Sequence, residues 1–176
     1  MRGNVTKLHI SYLEESLTAW RDVRLGIVDE VRNIPANKFG FRPVSETRSV
    51  RELVQHILEV SMFMTAELSR SDTNLRRHPW PKMLRKYGAV AHKANTKREL
   101  LSLLRSQMKD ALAKFRKAGD LELWQQIEQF DGTWATKFQW LHHGIAQEMY
   151  HRGQLATYAR LMGLEPALTK RIKAGG

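Results

Sequence analysis

Apolar residues recur along this chain at three- and four-residue steps in four separate stretches, the spacing that gives a helix one buried face. In the first, Val5, Leu8, Tyr12, Trp20, Val23, Ile27 and Val31 predict a helix over 5–31, which Ile34-Pro35 ends. Ser49, three residues before Glu52, fits a capping box opening a second helix that runs to about Ser69, with Leu53, His56, Val60 and Phe63 on its stripe. Asn95 or Thr96 caps a third through Leu100, Leu104, Met108, Ala111 and Phe115, ending at Ala118-Gly119. The fourth spans about Thr133 to Met162, where Gly163 suits the C-terminal cap and Pro166 prevents continuation.

The segments between carry different signals. Pro35 to Thr47 reads as an ordered loop pinned by Phe39 and Phe41. From Arg70 to Asn95 the pattern breaks at Pro79, Trp80, Pro81 and Gly88, and its 26 residues are long for a connection. A long crossover between helices two and three explains that length. Asp120 to Gly132 reads as a linker with a helical turn at Leu123 to Ile127, and residues after Leu168 as a basic, frayed tail. Four amphipathic helices with one long crossover predict an all-α four-helix bundle forming a single domain over 1–176, an architecture that builds metal and cofactor sites from inward-facing side chains.

Composition narrows the chemistry. No cysteine occurs, so disulfides, thiolate metal sites and a cysteine nucleophile are excluded and any metal must sit on nitrogen and oxygen. Met1 to Leu17 lacks an apolar signal region and no stretch approaches the roughly 18 apolar residues of a membrane span, which makes a cytoplasmic location the expectation. The formal charge is +11, and Arg70 to Arg98 alone holds nine basic residues against Asp72, a net of +8. No glycine-rich phosphate loop or nucleophile elbow is present.

The candidate chemistry lies on two of the apolar stripes. His151 shares its stripe with Trp140, Gly144, Gln147, Leu155, Tyr158 and Met162, and His56 shares the stripe of helix two. Buried imidazole and amide groups need partners, and a metal ion is one. Gln147 and His151 stand at i and i+4, about 6 Å apart along the axis, so both can reach one ion that His56 closes from the neighbouring helix. Two nitrogens and an amide oxygen suit a divalent ion such as zinc or nickel with positions open for water or a thiol. His143 is too far along the helix to share an ion with His151, while His9, His78, His92 and His142 read as surface or loop residues. Glu148 reads as a carboxylate facing solvent or supporting His151, Gly153 as a point of close helix approach, and Arg152 as reaching a carboxylate or solvent.

With those residues identified, Tyr150-His151-Arg152-Gly153-Gln154, Glu52-Leu53-Val54-Gln55-His56-Ile57 and Phe41-Arg42-Pro43 together resemble the DinB-like superfamily of metal-dependent proteins, in order and spacing over nearly the whole chain. The resemblance implies a bundle of up-down-down-up topology, often a homodimer, with three histidine ligands. Two of these match His56 and His151; the other falls on Gln147. Glutamine can offer its carbonyl oxygen, two histidines and waters can suffice, or the site can be vacant with Gln147 bonded to His151. Relatives include isomerases and S-transferases that use low-molecular-weight thiols as cofactors.

Three functions remain open. A metal-dependent thiol transferase or hydrolase would act on a small anionic substrate gathered by the basic crossover. A polyanion or nucleic-acid binder would use the 70–98 segment, with Trp80 and Tyr87 stacking on bases, but no recognised motif accompanies it. A metal-free bundle would serve packing or dimerisation alone.

Overall fold

The structure, a computed structural model, describes residues 10–175. Helices α1 (Tyr12–Asn33), α2 (Val50–Leu68), α4 (Lys97–Leu123) and α5 (Lys137–Leu161) form a four-helix bundle. Helix α3 (Trp80–Lys93) lies on α2, and α6 (Ala167–Lys173) returns to α1. Strands β1 (Gln126–Glu128) and β2 (Trp134–Thr136) make a short antiparallel hairpin with Ile127 opposite Ala135. Among the described residues no helix is long and apolar enough to cross a membrane.

End contacts set the helix directions. Asn33 donates to the Glu165 carbonyl at 2.7 Å and the Lys97 ammonium to the Ile34 carbonyl at 2.7 Å, so α1 ends where α4 begins and α5 finishes. At the other end Tyr12 packs on Trp124 and Phe138, just past α4 and at the start of α5. The Tyr158 hydroxyl near the end of α5 donates to the Arg48 carbonyl just before α2. Helices α1 and α5 therefore run one way and α2 and α4 the other, the up-down-down-up order, and the connection through α3 is the long crossover that parallel neighbours require.

The caps explain most boundaries. Ser49 with Glu52 and Thr96 with Glu99 both close as capping boxes, satisfying N–H groups that a helix start leaves free. Gly119, at φ 81°, breaks α4 one turn before its end, a conformation that costs glycine little. The first helix begins at Tyr12, with Ser11 as cap, and the expected residues Val5 and Leu8, like His9, lie outside the described residues.

Three connecting segments depart from expectation. The crossover is ordered as α3: Pro81 falls in its first turn, where no N–H is needed, and Gly88 accommodates Glu59, so residues that read as breakers serve a helix. The linker and the first residues assigned to helix four form the β1–β2 hairpin, and α5 starts at Lys137 behind the Thr136 cap. The tail is helical because buried Glu30 accepts the Ala167 and Leu168 amides, capping α6.

The core has two apolar clusters, one around Ile27, Val54, Leu58, Leu104 and Leu155, the other around Leu17, Trp20, Phe63, Phe115 and Phe138. Between them lies a polar layer drawn from all four bundle helices. Arg24 donates to Glu148 through Nε (2.8 Å) and Nη2 (2.5 Å), to Gln107 Oε1 (2.7 Å) and to Ser61 Oγ (2.7 Å). Trp20 donates to Glu148 at 2.7 Å, and Gln107 reaches Thr65 at 3.0 Å. Glu148 is thus a buried ion-pair partner, neither a solvent-facing carboxylate nor a hydrogen-bond acceptor for His151.

Candidate metal centre

The antiparallel packing of α2 on α5 places His56 against His151, one turn toward the bundle end from the polar layer. Their rings meet edge to face with centroids 5.1 Å apart. Each Nδ1 is held by an oxygen. His56 Nδ1 donates to Glu59 Oε1 at 2.7 Å, a partner three residues on along the same helical face, and His151 Nδ1 donates to Gln154 Oε1 at 2.6 Å. Carboxylate and amide oxygens only accept, so in each neutral ring the proton sits on Nδ1 and the lone pair on Nε2. Among the described residues neither Nε2 has a hydrogen-bond partner. Burial pushes the His151 imidazole below its usual value, against the bond to Gln154, which favours the neutral, metal-binding form.

Gln147 lies one turn deeper on α5, lining a crevice with Trp20, Val60, Ser61 and Met64. Both its amide nitrogen and oxygen are buried and without a partner among the described residues, so it is not bonded to His151. Two Nδ1-anchored imidazoles, with an orphaned amide one helical turn away, fit a metal ion held on nitrogen and oxygen. Two imidazoles on one tetrahedral zinc, with bonds of about 2.0–2.1 Å, would set their ring centres roughly 5 Å apart. Among the described residues no three His, Asp or Glu side chains converge as a metal site, so any third donor must be this amide or water.

Sequence reasoning missed two supporting residues. Glu59 accepts from His56 with one oxygen and from His92 Nε2 with the other, at 2.7 Å. Burial raises the Glu59 carboxyl, but the two histidine hydrogen bonds outweigh it and hold it below its usual value. Its position three after His56 was a readable signal. His92 gave none, because only the docking of α3 brings it to Glu59; it is exposed, as expected, but it has a partner. A Cβ on Gly88, one turn before His92, would stand 2.4 Å from Glu59 Cβ, which shows how closely α3 lies on α2.

Other expected residues fall elsewhere. His142 bonds Tyr12 (3.0 Å) and Ser16 (3.1 Å), His143 packs on Trp140, and His78 sits in the loop before α3. The space around Gly153 is open; the close approach is at Gly26, against which the Arg152 guanidinium lies. Trp80 and Tyr87 pack on Phe63, and Tyr87 donates to buried Glu67, so neither is presented for base stacking.

A cleft of about 770 Å³ opens beside His56, bordered by Arg42, Arg48, Glu52, Glu59 and His92. The lysines and arginines of the 70–98 segment do not line it; of that segment only His92 does. Arg70 and Arg77 pair with Asp72, and Arg76 with Glu128.

Several solved structures share the fold. YfiT from Bacillus subtilis, described as a probable metal-dependent hydrolase with an unusual four-helix bundle topology, aligns over 92% of this chain and 95% of its own at 16% identity and a TM-score of 0.69. A DinB-like protein from Bacillus subtilis, YjoA, aligns over 85% and 92% at 21% identity and a TM-score of 0.64. A mycothiol-dependent maleylpyruvate isomerase aligns over 82% of this chain at 15% identity and a TM-score of 0.66, and the match covers 61% of that protein's length. No curated protein matches the chain. The family model for the DinB family matches residues 3–173, nearly the full length, and the chain belongs to that family.

Proposed function

We propose that this protein is a metal-dependent enzyme of the thiol-transferase or hydrolase type, with a divalent ion, zinc or nickel, held by His56 and His151 and by the Gln147 amide oxygen. One observation carries the reading: both imidazoles are fixed through Nδ1 by oxygen acceptors, the arrangement that fixes ring orientation and tautomer in histidine metal ligands. The ion would supply Lewis acidity and lower the pKa of a bound thiol or water. Glu59, steadied by His92, holds the His56 ring; Gln154 holds that of His151. The buried Gln147 amide would gain the partner it lacks. The mycothiol dependence of one structural neighbour and the probable hydrolase character of another support a small thiol or water as the activated group.

The test is turnover by metal-loaded protein of an electrophile with a panel of low-molecular-weight thiols, glutathione among them. Thiol-dependent turnover is expected in the native protein and lost in both His56→Ala and His151→Ala. Unchanged turnover in either variant contradicts the proposal. A metal-free packing bundle, which the glutamine at position 147 favours, instead predicts that these substitutions change stability alone.

A further inference from the structure

Arg48 stands just before Ser49, the cap of α2, and the main chain that carries it is held from two sides. The Tyr158 hydroxyl donates to the Arg48 carbonyl at 3.1 Å, and Arg42 donates to the adjoining Thr47 carbonyl at 2.6 Å. Of the other charged groups bordering the cleft, all but Glu46 are matched by an opposite charge or an imidazole. Arg42 pairs with Glu52 at 2.6 Å, Glu59 bridges His56 and His92, and Glu46 accepts from the Ser45 hydroxyl at 2.6 Å. Among the described residues the Arg48 guanidinium has no acceptor, although it borders the same cleft as His56. Its charge also reaches the His151 ring, adding to burial in disfavouring the protonated imidazole.

We propose that Arg48 anchors a carboxylate of the substrate, leaving the rest of that molecule to extend toward His56 and His151. This rests on the reading of the cleft as the reactive site. The guanidinium fork matches a carboxylate with two parallel N–H···O bonds. A carboxylate suits the cleft better than a phosphate, because Glu46, Glu52 and Glu59 border it and a phosphate would concentrate up to two negative charges at the one fork where a carboxylate places one. Anion recognition thus falls to the loop before α2, with no lysine or arginine of the 70–98 segment lining the cleft.

The test is calorimetric titration of the full-length, metal-free protein with succinate, with its diamide succinamide and with inorganic phosphate. Saturable succinate binding is expected, with no measurable succinamide binding and weaker phosphate binding. Arg48→Gln should weaken succinate binding by about tenfold or more, and Arg48→Lys by less, since charge remains but the fork is lost. Arg85→Gln, outside the cleft, should change nothing. The inference is overturned if succinate does not bind, if Arg48→Gln binds it as well as the native protein, if succinamide binds equally, or if phosphate binds more tightly. Because the titration needs no metal, its outcome is separable from failure of the metal proposal, and Arg48→Gln should keep the native metal stoichiometry.

Discussion

Replacing Glu148 by leucine removes the carboxylate that accepts from both Trp20 and Arg24 while leaving the Arg24 guanidinium in place, 1% exposed. Breaking a buried pair in this way costs about 3–5 kcal/mol, because the remaining charge has no water and no counter-charge, only the neutral acceptors Gln107, Ser61 and the Leu104 carbonyl. Arg24→Met should cost a similar amount, leaving Glu148 with only Trp20. The double variant Arg24→Met/Glu148→Leu removes both charges and should lie within about 2 kcal/mol of the native protein, far from the sum of the singles. Urea unfolding with an unchanged m-value reads the three differences, and each single variant should melt roughly 6–20 °C lower. A single-variant loss below about 1 kcal/mol, or a double variant equal to the sum of the singles, refutes the argument. The layer bears on the site because Glu148 precedes His151 by less than one turn: the contacts that anchor Glu148 fix the register of α5 and so the position of His151 against His56.

Two helical glycines should respond in opposite directions to alanine in thermal melts. Gly153→Ala enters open space and should gain about 0.5–1 kcal/mol from helix propensity, whereas Gly88→Ala meets the Cβ of Glu59, and an overpacking cost of about 1–3 kcal/mol should exceed the propensity gain. The reverse order would show that α3 does not lie on Glu59 as described. Burial and the bond to Glu67 push the Tyr87 phenol up to about 12. Its neutral form is the one stabilised by folding, so that contribution is complete below the ordinary value near 10 and lost as pH rises through the shifted one. Phenolate absorbance should show one of the four tyrosines titrating late, and Tyr87→Phe should abolish that phase; its persistence would refute the assignment.

The four bundle helices were legible because each carries a long stripe at helical spacing and because Ser49 with Glu52 closes as a capping box. Helix α3 was hidden: its buried residues are only Met83, Gly88 and Ala91, too few to write a stripe, and its start is rich in proline. The hairpin strands have three residues each, too short for alternation to show. The histidine pair was readable from stripe positions on two helices, whereas His92 depends on tertiary docking and Arg48 on which charges find partners. Glu148 was misread because a hydrophobic stripe gives no sign of a buried ion pair. Its position 60° from His151 placed it at the edge of the core, and only Arg24 on another helix draws it inside.

The central claim is that His56 and His151 hold one metal ion together. The most direct measurement is zinc and nickel binding by calorimetry, with elemental mass spectrometry of the untagged protein purified without chelator, on native, His56→Ala, His151→Ala and Glu59→Gln proteins. One ion per chain is expected in the native protein, lost in both histidine variants and weakened about 10–100-fold in Glu59→Gln, which loosens the His56 ring. No binding to the native protein even with excess ion, or equal binding after loss of either histidine, would contradict the account.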